Sequence, residues 1–180
     1  MKDTDIDRLS AAVRDVIDFP KEGIVFKDIA PVLADGALFR LAIDGLVESI
    51  GGTPVDKIVG IDARGFIFGA AVADRIGAGL VPVRKKGKLP WRTRSVSYAL
   101  EYGESVIEIH EDAISPGERV LLVDDLLATG GTSAAALQLV RELGGEIVGA
   151  SFFIELAFLD GRKAIHEAAD GFPISALLTY

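Results

Sequence analysis

Short apolar runs alternate with amphipathic stretches along most of the chain after residue 55. Four apolar runs predict buried strands, at 57–61, 79–83, 120–123 and 147–154. Two amphipathic stretches predict helices, at 65–76 and 132–143. The second repeats apolar residues at i, i+3, i+4 and i+7 from Ala136, which is typical of a helix with one buried face. This alternation predicts an α/β fold with an open, mainly parallel twisted sheet flanked by helices.

The N-terminal fifty residues follow a different pattern. A helix is predicted over 6–17, with Phe19-Pro20 ending it. An irregular or short extended connection follows over 23–31. A second helix is predicted over 37–50, where Gly51-Gly52 stops it. The N-terminal region therefore precedes the alternating strands and helices of the sheet.

A hairpin is predicted between the strands at 79–83 and 120–123. Its two strands are expected at 95–100 and 105–110, joined by Glu101-Tyr102-Gly103-Glu104. A basic stretch leads into the first of them. A hairpin of this kind, projecting from an α/β core, predicts a mobile flap over 84–110.

Composition indicates one domain over residues 1–180. Apolar residues make up 49% and charged residues 26% of the chain, which suits a packed core rather than disorder. No apolar run approaches the roughly 18 residues of a membrane span, and the N-terminus is polar and acidic, so we expect a cytoplasmic protein without membrane contact. The net charge of −8 argues against broad nucleic-acid binding. The chain has no cysteine, which excludes disulfides and zinc–thiolate sites.

One basic segment stands out from this acidic background. Within eleven residues that contain no acid lie Arg84, Lys85, Lys86, Lys88, Arg92 and Arg94. Taken alone, such a run indicates either a solvated loop or a site for a small polyanion.

The segment that carries the most chemical information is 120–133. A buried strand leads to Asp124 and Asp125, then to a loop with Thr129 and two glycines, then to a helix. Unpaired N–H groups at a helix N-terminus bind phosphate, and glycines let the backbone approach it closely. Neither a Gly-Lys-Ser/Thr loop nor a G-x-G-x-x-G fingerprint is present. Paired carboxylates beside a phosphate loop suit ribose hydroxyls or a bridging magnesium ion.

This stretch resembles the phosphoribosyl pyrophosphate signature of the type I phosphoribosyltransferases. Three further segments are similar to those of the adenine phosphoribosyltransferases of that family, in the same order, so that the resemblance extends along nearly the whole chain. They are Phe19 to Leu33, Gly60 to Gly69, and Arg84 to Pro90 leading to Ser97 to Gly103. The resemblance implies transfer of the phosphoribosyl group of phosphoribosyl pyrophosphate to adenine, giving AMP and pyrophosphate.

The resemblance also assigns site residues. It implies that residues 1–33 form a small base-recognition hood, in which the Phe26 ring stacks on adenine and the Val25 and Lys27 backbones read its edge. Many relatives have arginine in place of Lys27. It implies that the 5′-phosphate and ribose are bound by Asp124, Asp125, Ala128, Thr129, Gly130, Gly131 and Thr132. It implies that pyrophosphate is bound by Asp62, Ala63, Arg64, Arg84, Lys85 and Lys88, with an unusual peptide bond after Asp62.

Catalysis is expected at the flap turn, where Glu101 and Tyr102 match the family's Leu-Glu-Tyr; the carboxylate would accept a proton from adenine. The resemblance implies Mg²⁺ as the cofactor, held by substrate oxygens near Asp124 and Asp125 rather than by direct protein ligation. It also implies a homodimer. The alternatives are a related transferase for xanthine, hypoxanthine or a pyrimidine, and a regulator that retains the sugar-phosphate site but binds nucleic acid or another protein.

Overall fold

The helices and strands follow from a computed structural model in which residues 1–99, 104–169 and 171–180 are described. The helices are α1 (Asp3–Ala12), α2 (Ala30–Ala34), α3 (Gly36–Ser49), α4 (Arg64–Ile76), α5 (Gly131–Glu142) and α6 (Gly161–Ala168), with a 3-10 turn at Ala157–Leu159. The strands are β1 (Arg14–Ile17), β2 (Val25–Asp28), β3 (Lys57–Ile61), β4 (Gly79–Lys85), β5 (Thr93–Ala99), β6 (Glu104–His110), β7 (Arg119–Leu127), β8 (Glu146–Glu155) and β9 (Ile174–Thr179).

Seven of these strands form one sheet in the order β5-β6-β4-β3-β7-β8-β9. The five strands from β4 to β9 in this order run parallel, whereas β6 pairs antiparallel with both β4 and β5. The predicted α/β fold with a mainly parallel sheet and a hairpin at its edge is confirmed. Because parallel strands end at the same edge, the loops after β3 and β7 lie side by side there.

The core lies on both faces of this sheet. Alternate residues of the central strand β7 enter different clusters: Val120 and Leu122 pack on the side of α5 and α6, while Leu121 and Val123 pack on the side of α1 to α4. A strand that is buried on both faces needs apolar residues at consecutive positions. The apolar run that predicted this strand therefore also explains why helices cover both of its faces.

The helix predicted over 6–17 is wrong in its second half. The structure begins α1 at Asp3 and ends it at Ala12, and after Val13 the residues Arg14–Ile17 form β1. This strand pairs antiparallel with β2, with Val16 opposite Phe26. The β-branched Val16 and Ile17 suit a strand better than a helix end, and the turn that follows has Asp18 and Gly23 at positive φ. The residues around Phe26 are thus a regular strand.

The end of β7 and the elements after residue 154 also differ from the sequence prediction. Strand β7 extends beyond 123 to Leu127, because β8 continues to pair with it up to Glu155. Asp124 and Asp125 therefore lie within the strand rather than after it. The sequence patterns predicted no element after residue 154, where the structure has the short α6 and β9. In the described part of the chain, no helix combines the length and the apolar character needed to cross a membrane.

An ion pair fixes the opposite edge of the sheet, where β3 and β7 begin. Both carboxylate oxygens of Asp56 accept hydrogen bonds from the Arg119 guanidinium, at 2.9 Å from Nε and 2.7 Å from Nη2. The Arg119 backbone N–H also donates to this carboxylate, and the Asp56 N–H donates to the Arg119 carbonyl. The pair thereby sets the register of two central strands at their start.

We expect Asp56→Asn to destabilise the fold more at neutral pH than in acid. The Arg119 guanidinium lowers the pKa of Asp56 far below its ordinary value, chiefly through their side-chain hydrogen bond. A lowered pKa stabilises the fold above the unfolded-state pKa of about 4, and this contribution is lost as the pH falls. The free energy of unfolding should be measured in urea at about pH 7 and at about pH 3. The difference in this free energy between wild type and variant should be smaller at the lower pH.

Asp74→Asn serves as the control, because Asp74 is exposed on α4. If Asp56→Asn lowered the free energy of unfolding equally at both pH values, the assigned role of this carboxylate would be contradicted.

Candidate active site

A cavity of about 230 Å³ opens at the carboxyl edge of the sheet, between the ends of β3 and β7. Ten of its thirteen lining residues are ones that the sequence predicted for the sugar, phosphate or pyrophosphate: Asp62, Ala63, Arg64, Asp124, Asp125, Ala128, Thr129, Gly130, Gly131 and Thr132. The other three are Ile61, Leu126 and Ser133. The structure therefore brings together two motifs that are far apart in the sequence.

The loop from Ala128 to Gly130 joins β7 to α5 at the floor of this cavity. Gly130 precedes α5 with φ of 80°, a conformation that other residues rarely adopt. Its backbone is also pressed against α6: a Cβ on Gly130 would collide with the Gly161 carbonyl, and one on Gly161 would collide with the Ala128 carbonyl. The shape of the loop thus depends on Gly161, a residue the sequence analysis missed because no local motif surrounds it.

The first turn of α5 also contacts the hairpin of β5 and β6. The Thr132 hydroxyl donates a 3.0 Å hydrogen bond to the phenol oxygen of Tyr98 in β5. Both residues are half-buried. This contact joins the predicted flap to the predicted phosphate loop. Nothing in the sequence around Tyr98 marked it as a partner of Thr132.

Two carboxylates and a guanidinium form one wall of the cavity. The Arg64 Nε lies 2.8 Å from Asp125 Oδ2, and the Asp125 N–H donates to Asp124 Oδ1 at 2.9 Å. Burial and then the neighbouring Asp125 charge raise the pKa of Asp124 well above its usual range. Burial also raises the pKa of Asp125, against the opposing effect of Arg64. Hydrogen-bond donors or a cation arriving here would stabilise the ionised carboxylates.

The predicted pyrophosphate residues divide between the cavity and its surroundings. Asp62 lies in the wall and accepts a 2.8 Å hydrogen bond from Arg84 Nε, so Arg84 reaches the cavity rim. The peptide bond between Asp62 and Ala63 is cis, which agrees with the unusual bond expected there. Lys85 and Lys88 do not line the cavity, although the Lys88 carbonyl accepts a hydrogen bond from Arg84.

The predicted base residues lie on β2, next to this cavity but not in its lining. The Phe26 ring is half-buried, and the Arg64 guanidinium carbon lies 5.3 Å from its centre. The Phe19 ring packs edge-on against Phe26 at 5.2 Å. The Lys27 ammonium is turned to Asp15, at 2.6 Å. Arg64 therefore connects the aromatic ring of the hood to the carboxylates of β7.

The two predicted catalytic residues, Glu101 and Tyr102, lie outside the described residues. Among the residues that sequence reasoning missed, Leu126 had the clearest signal, since it lies between Asp125 and the phosphate loop. Tyr98 and Gly161 come from distant segments, so their place at the site follows only from the fold.

Comparison with known proteins agrees with this geometry. Residues 33–168 match the phosphoribosyl transferase domain. The adenine phosphoribosyltransferase of Neorhizobium galegae is 56% identical over 159 residues, which cover 88% of each chain. The crystal structure of adenine phosphoribosyltransferase from Rhodothermus marinus superposes with a TM-score of 0.93 at 50% identity, covering 99% of this chain and 100% of that one.

A third relative was solved with ligands. The Saccharomyces cerevisiae adenine phosphoribosyltransferase, in complex with an imino-altritol bisphosphate and adenine, has a TM-score of 0.89 at 39% identity, with 97% of this chain and 99% of that chain covered. The domain match spans more than half of the chain, and both the identity and the coverage of the named relatives are high. The chain therefore belongs to the phosphoribosyltransferase family and, within it, to the adenine phosphoribosyltransferases.

Proposed function

We propose that the protein transfers the 5-phosphoribosyl group from phosphoribosyl pyrophosphate to adenine, giving AMP and pyrophosphate. This is a pentosyltransferase reaction that salvages a free purine base. One observation carries the proposal: a single cavity joins a glycine-rich loop at a helix N-terminus, two neighbouring carboxylates and an arginine that lies over an aromatic ring. Each part suits one portion of the two substrates.

The sugar phosphate is assigned to the loop and the carboxylates. The N–H groups at the start of α5 are unpaired and carry partial positive charge, which favours the 5′-phosphate in the loop from Ala128 to Thr132. Asp124 and Asp125 can accept hydrogen bonds from ribose hydroxyls. Such donors would stabilise the ionised form of carboxyls whose pKa burial raises.

The pyrophosphate is assigned to the N-terminus of α4 in the same wall of the cavity, where Ala63 precedes the helix and Arg64 begins it. Arg64 lies between Asp125 and the Phe26 ring, so it can face the bond between sugar and leaving group. Arg84 is held at the rim by Asp62. Lys85 and Lys88 add positive charge near the rim. In the expected homodimer, these lysines could also serve the site of the neighbouring protomer. Sedimentation of the active protein at the monomer mass would contradict the homodimer.

Magnesium fits the donors at this wall. Hard cations prefer carboxylate and phosphate oxygens, and Asp124 and Asp125 both line the cavity. Within the described segments, no group of three or more His, Cys, Asp or Glu side chains could hold a metal ion, so substrate oxygens would complete the coordination. When bound, Mg²⁺ would neutralise charge on the departing pyrophosphate. The residues of this chain hold the sugar, orient the base and exclude water.

The adenine is assigned to the region between Phe26 and the cavity. The ring of Phe26 offers a stacking surface, and the edge-on contact with Phe19 fixes its tilt. The backbone of β2 at Val25 and Lys27 is assigned to the edge of the base. Position 25 suits such a contact because Val25 is 47% exposed.

We expect pyrophosphate release with adenine, and little or none with hypoxanthine, guanine, xanthine or uracil. Phe26→Ala should raise the KM for adenine by about 5- to 100-fold, corresponding to a stacking contribution of about 1–3 kcal/mol. The KM for phosphoribosyl pyrophosphate in the same variant is the internal control and should change little. Faster pyrophosphate release with another base would replace the adenine assignment. An equal rise in the KM for adenine and the KM for phosphoribosyl pyrophosphate in Phe26→Ala would assign Phe26 to the core.

Gly161→Ala should raise the KM for phosphoribosyl pyrophosphate roughly tenfold, because the added methyl group displaces the Ala128 carbonyl and overpacking of this kind costs about 1–3 kcal/mol. The matched control is Gly36→Ala. Gly36 also begins a helix, but a Cβ there meets nothing within 4 Å. Thermal unfolding of both variants separates a loop effect from lost stability. Wild-type kinetics in folded Gly161→Ala would contradict the role of this contact in phosphate binding.

Glu101 is assigned as the group that accepts the proton from adenine as the glycosidic bond forms, with Tyr102 beside it on the flap. Glu101→Gln keeps the shape of the side chain but removes the base. We expect single-turnover rates to fall by about 10²–10⁴-fold with substrate binding nearly intact. Glu111→Gln, an exposed change just after β6, is the control. A wild-type single-turnover rate in Glu101→Gln would contradict proton transfer to this carboxylate and leave the flap with an electrostatic role alone.

A further inference from the structure

The hairpin of β1 and β2, residues 14–28, is structurally separate from the main sheet. Within the described residues, its two strands pair with each other alone, in a sheet of their own. Two-stranded hairpins are marginally stable alone, so this one depends on side chains that anchor it to the rest of the protein. Neighbouring side chains of a strand point to opposite faces. Accordingly, Phe26 contacts Arg64 while Lys27 contacts Tyr180.

The Lys27 ammonium is held between an aromatic ring and a carboxylate. Its Nζ lies 3.9 Å from the centre of the Tyr180 ring and 2.6 Å from Asp15 Oδ1. Asp15 is the residue opposite Lys27 in the hairpin. The side chain of Lys27 is 15% exposed. A cation that is largely removed from water is bound more strongly by an aromatic ring than an exposed one.

Tyr180 is itself fixed at several points. Its backbone N–H donates to the Glu155 carbonyl at the end of β8, and its carbonyl accepts from the Ala157 N–H. Its phenol oxygen lies 3.3 Å from the Ser10 hydroxyl in α1. The ring is therefore a rigid part of the body of the protein, on which the hairpin rests through Lys27.

We propose that Tyr180 is a positioning residue for the base: it sets adenine affinity by holding Lys27, and hence the β2 backbone, without touching the base. This inference rests on the proposed function, because it concerns the strand assigned to adenine. Lys27 holds the strand from the face opposite Phe26. Release of Lys27 would let the backbone at Val25 and Lys27 shift relative to the cavity. The phosphate loop, on the other side of Arg64, would be unaffected.

The side chain of Lys27 acts through its charge and its length, while only the backbone of this residue is assigned to the base. Arginine can lie flat on an aromatic ring and pair with a carboxylate, so Lys27→Arg should retain the contact to Tyr180 and Asp15. Lys27→Met keeps much of the aliphatic length but removes the cation.

The test compares KM for adenine, KM for phosphoribosyl pyrophosphate and kcat in four variants. Tyr180→Leu and Lys27→Met should each raise the adenine KM by about 2- to 30-fold, the range expected for a lost cation–aromatic contact. Tyr180→Phe should stay within about twofold of wild type, because it preserves that contact. The KM for phosphoribosyl pyrophosphate should not change. The double variant Tyr180→Leu with Lys27→Met should be no worse than the more impaired of the two single variants.

Thr179→Ala, a change at the exposed neighbouring residue of β9, is the control for the end of that strand. An unchanged adenine KM in Tyr180→Leu overturns the inference, as does an equal rise in both KM values. A rise in Tyr180→Phe matching that in Tyr180→Leu also overturns it, because it would assign the effect to the Ser10 contact. Failure of the wild-type protein to make AMP from adenine would instead overturn the proposed function itself.

Discussion

The first turn of α4 rests on a carboxylate of β7, and the rest of the site depends on this contact. A Cβ on Gly65 would lie 2.5 Å from Asp124 Oδ1, so only glycine permits the approach. The adjacent Arg64 consequently reaches Asp125 at 2.8 Å. The cavity is the narrow space between two helix N-termini, those of α4 and α5, where unpaired N–H groups favour negative charge.

The charge of Arg64 opposes the effect of burial on the pKa of the two neighbouring carboxyl groups. Burial raises the pKa of both neighbouring carboxyls, and for Asp124 the charge of Asp125 adds to this effect. Arg64 opposes the rise for Asp125 and simultaneously lies over the Phe26 ring. One guanidinium thus links the carboxylates proposed for the ribose to the aromatic ring proposed for the base. Hydrogen bonds donated by a bound sugar would add to the stabilisation that Arg64 gives the ionised carboxylates.

Much of the fold could be predicted from the sequence because it depends on local patterns. Apolar runs located the central strands, and the residue types from Asp124 to Thr132 predicted a loop before a helix, where the structure has the cavity between β7 and α5. The sequence could not show that residues 14–17 form a strand, because the pairing with β2 is a tertiary interaction that overrides the helical pattern. Nor could it show the contact of Gly161 with Ala128 or of Tyr98 with Thr132. The members of each pair lie far apart along the chain, and only the packed fold brings them together.

The same distinction separates the two halves of the site. The half proposed for the phosphate lies on β3 and β7, strands at the centre of the sheet, whose residues Val59, Leu122 and Val123 are fully buried. The half proposed for the base lies on a two-stranded hairpin, which contacts Arg64 through Phe26 and Tyr180 through Lys27. A change in the centre of the sheet would disturb the whole core, whereas a change in the hairpin need only alter a few contacts. If the proposed assignments hold, base selectivity would vary with the hairpin while the phosphate site stays constant, as long as the hairpin keeps its contacts with Arg64 and Tyr180.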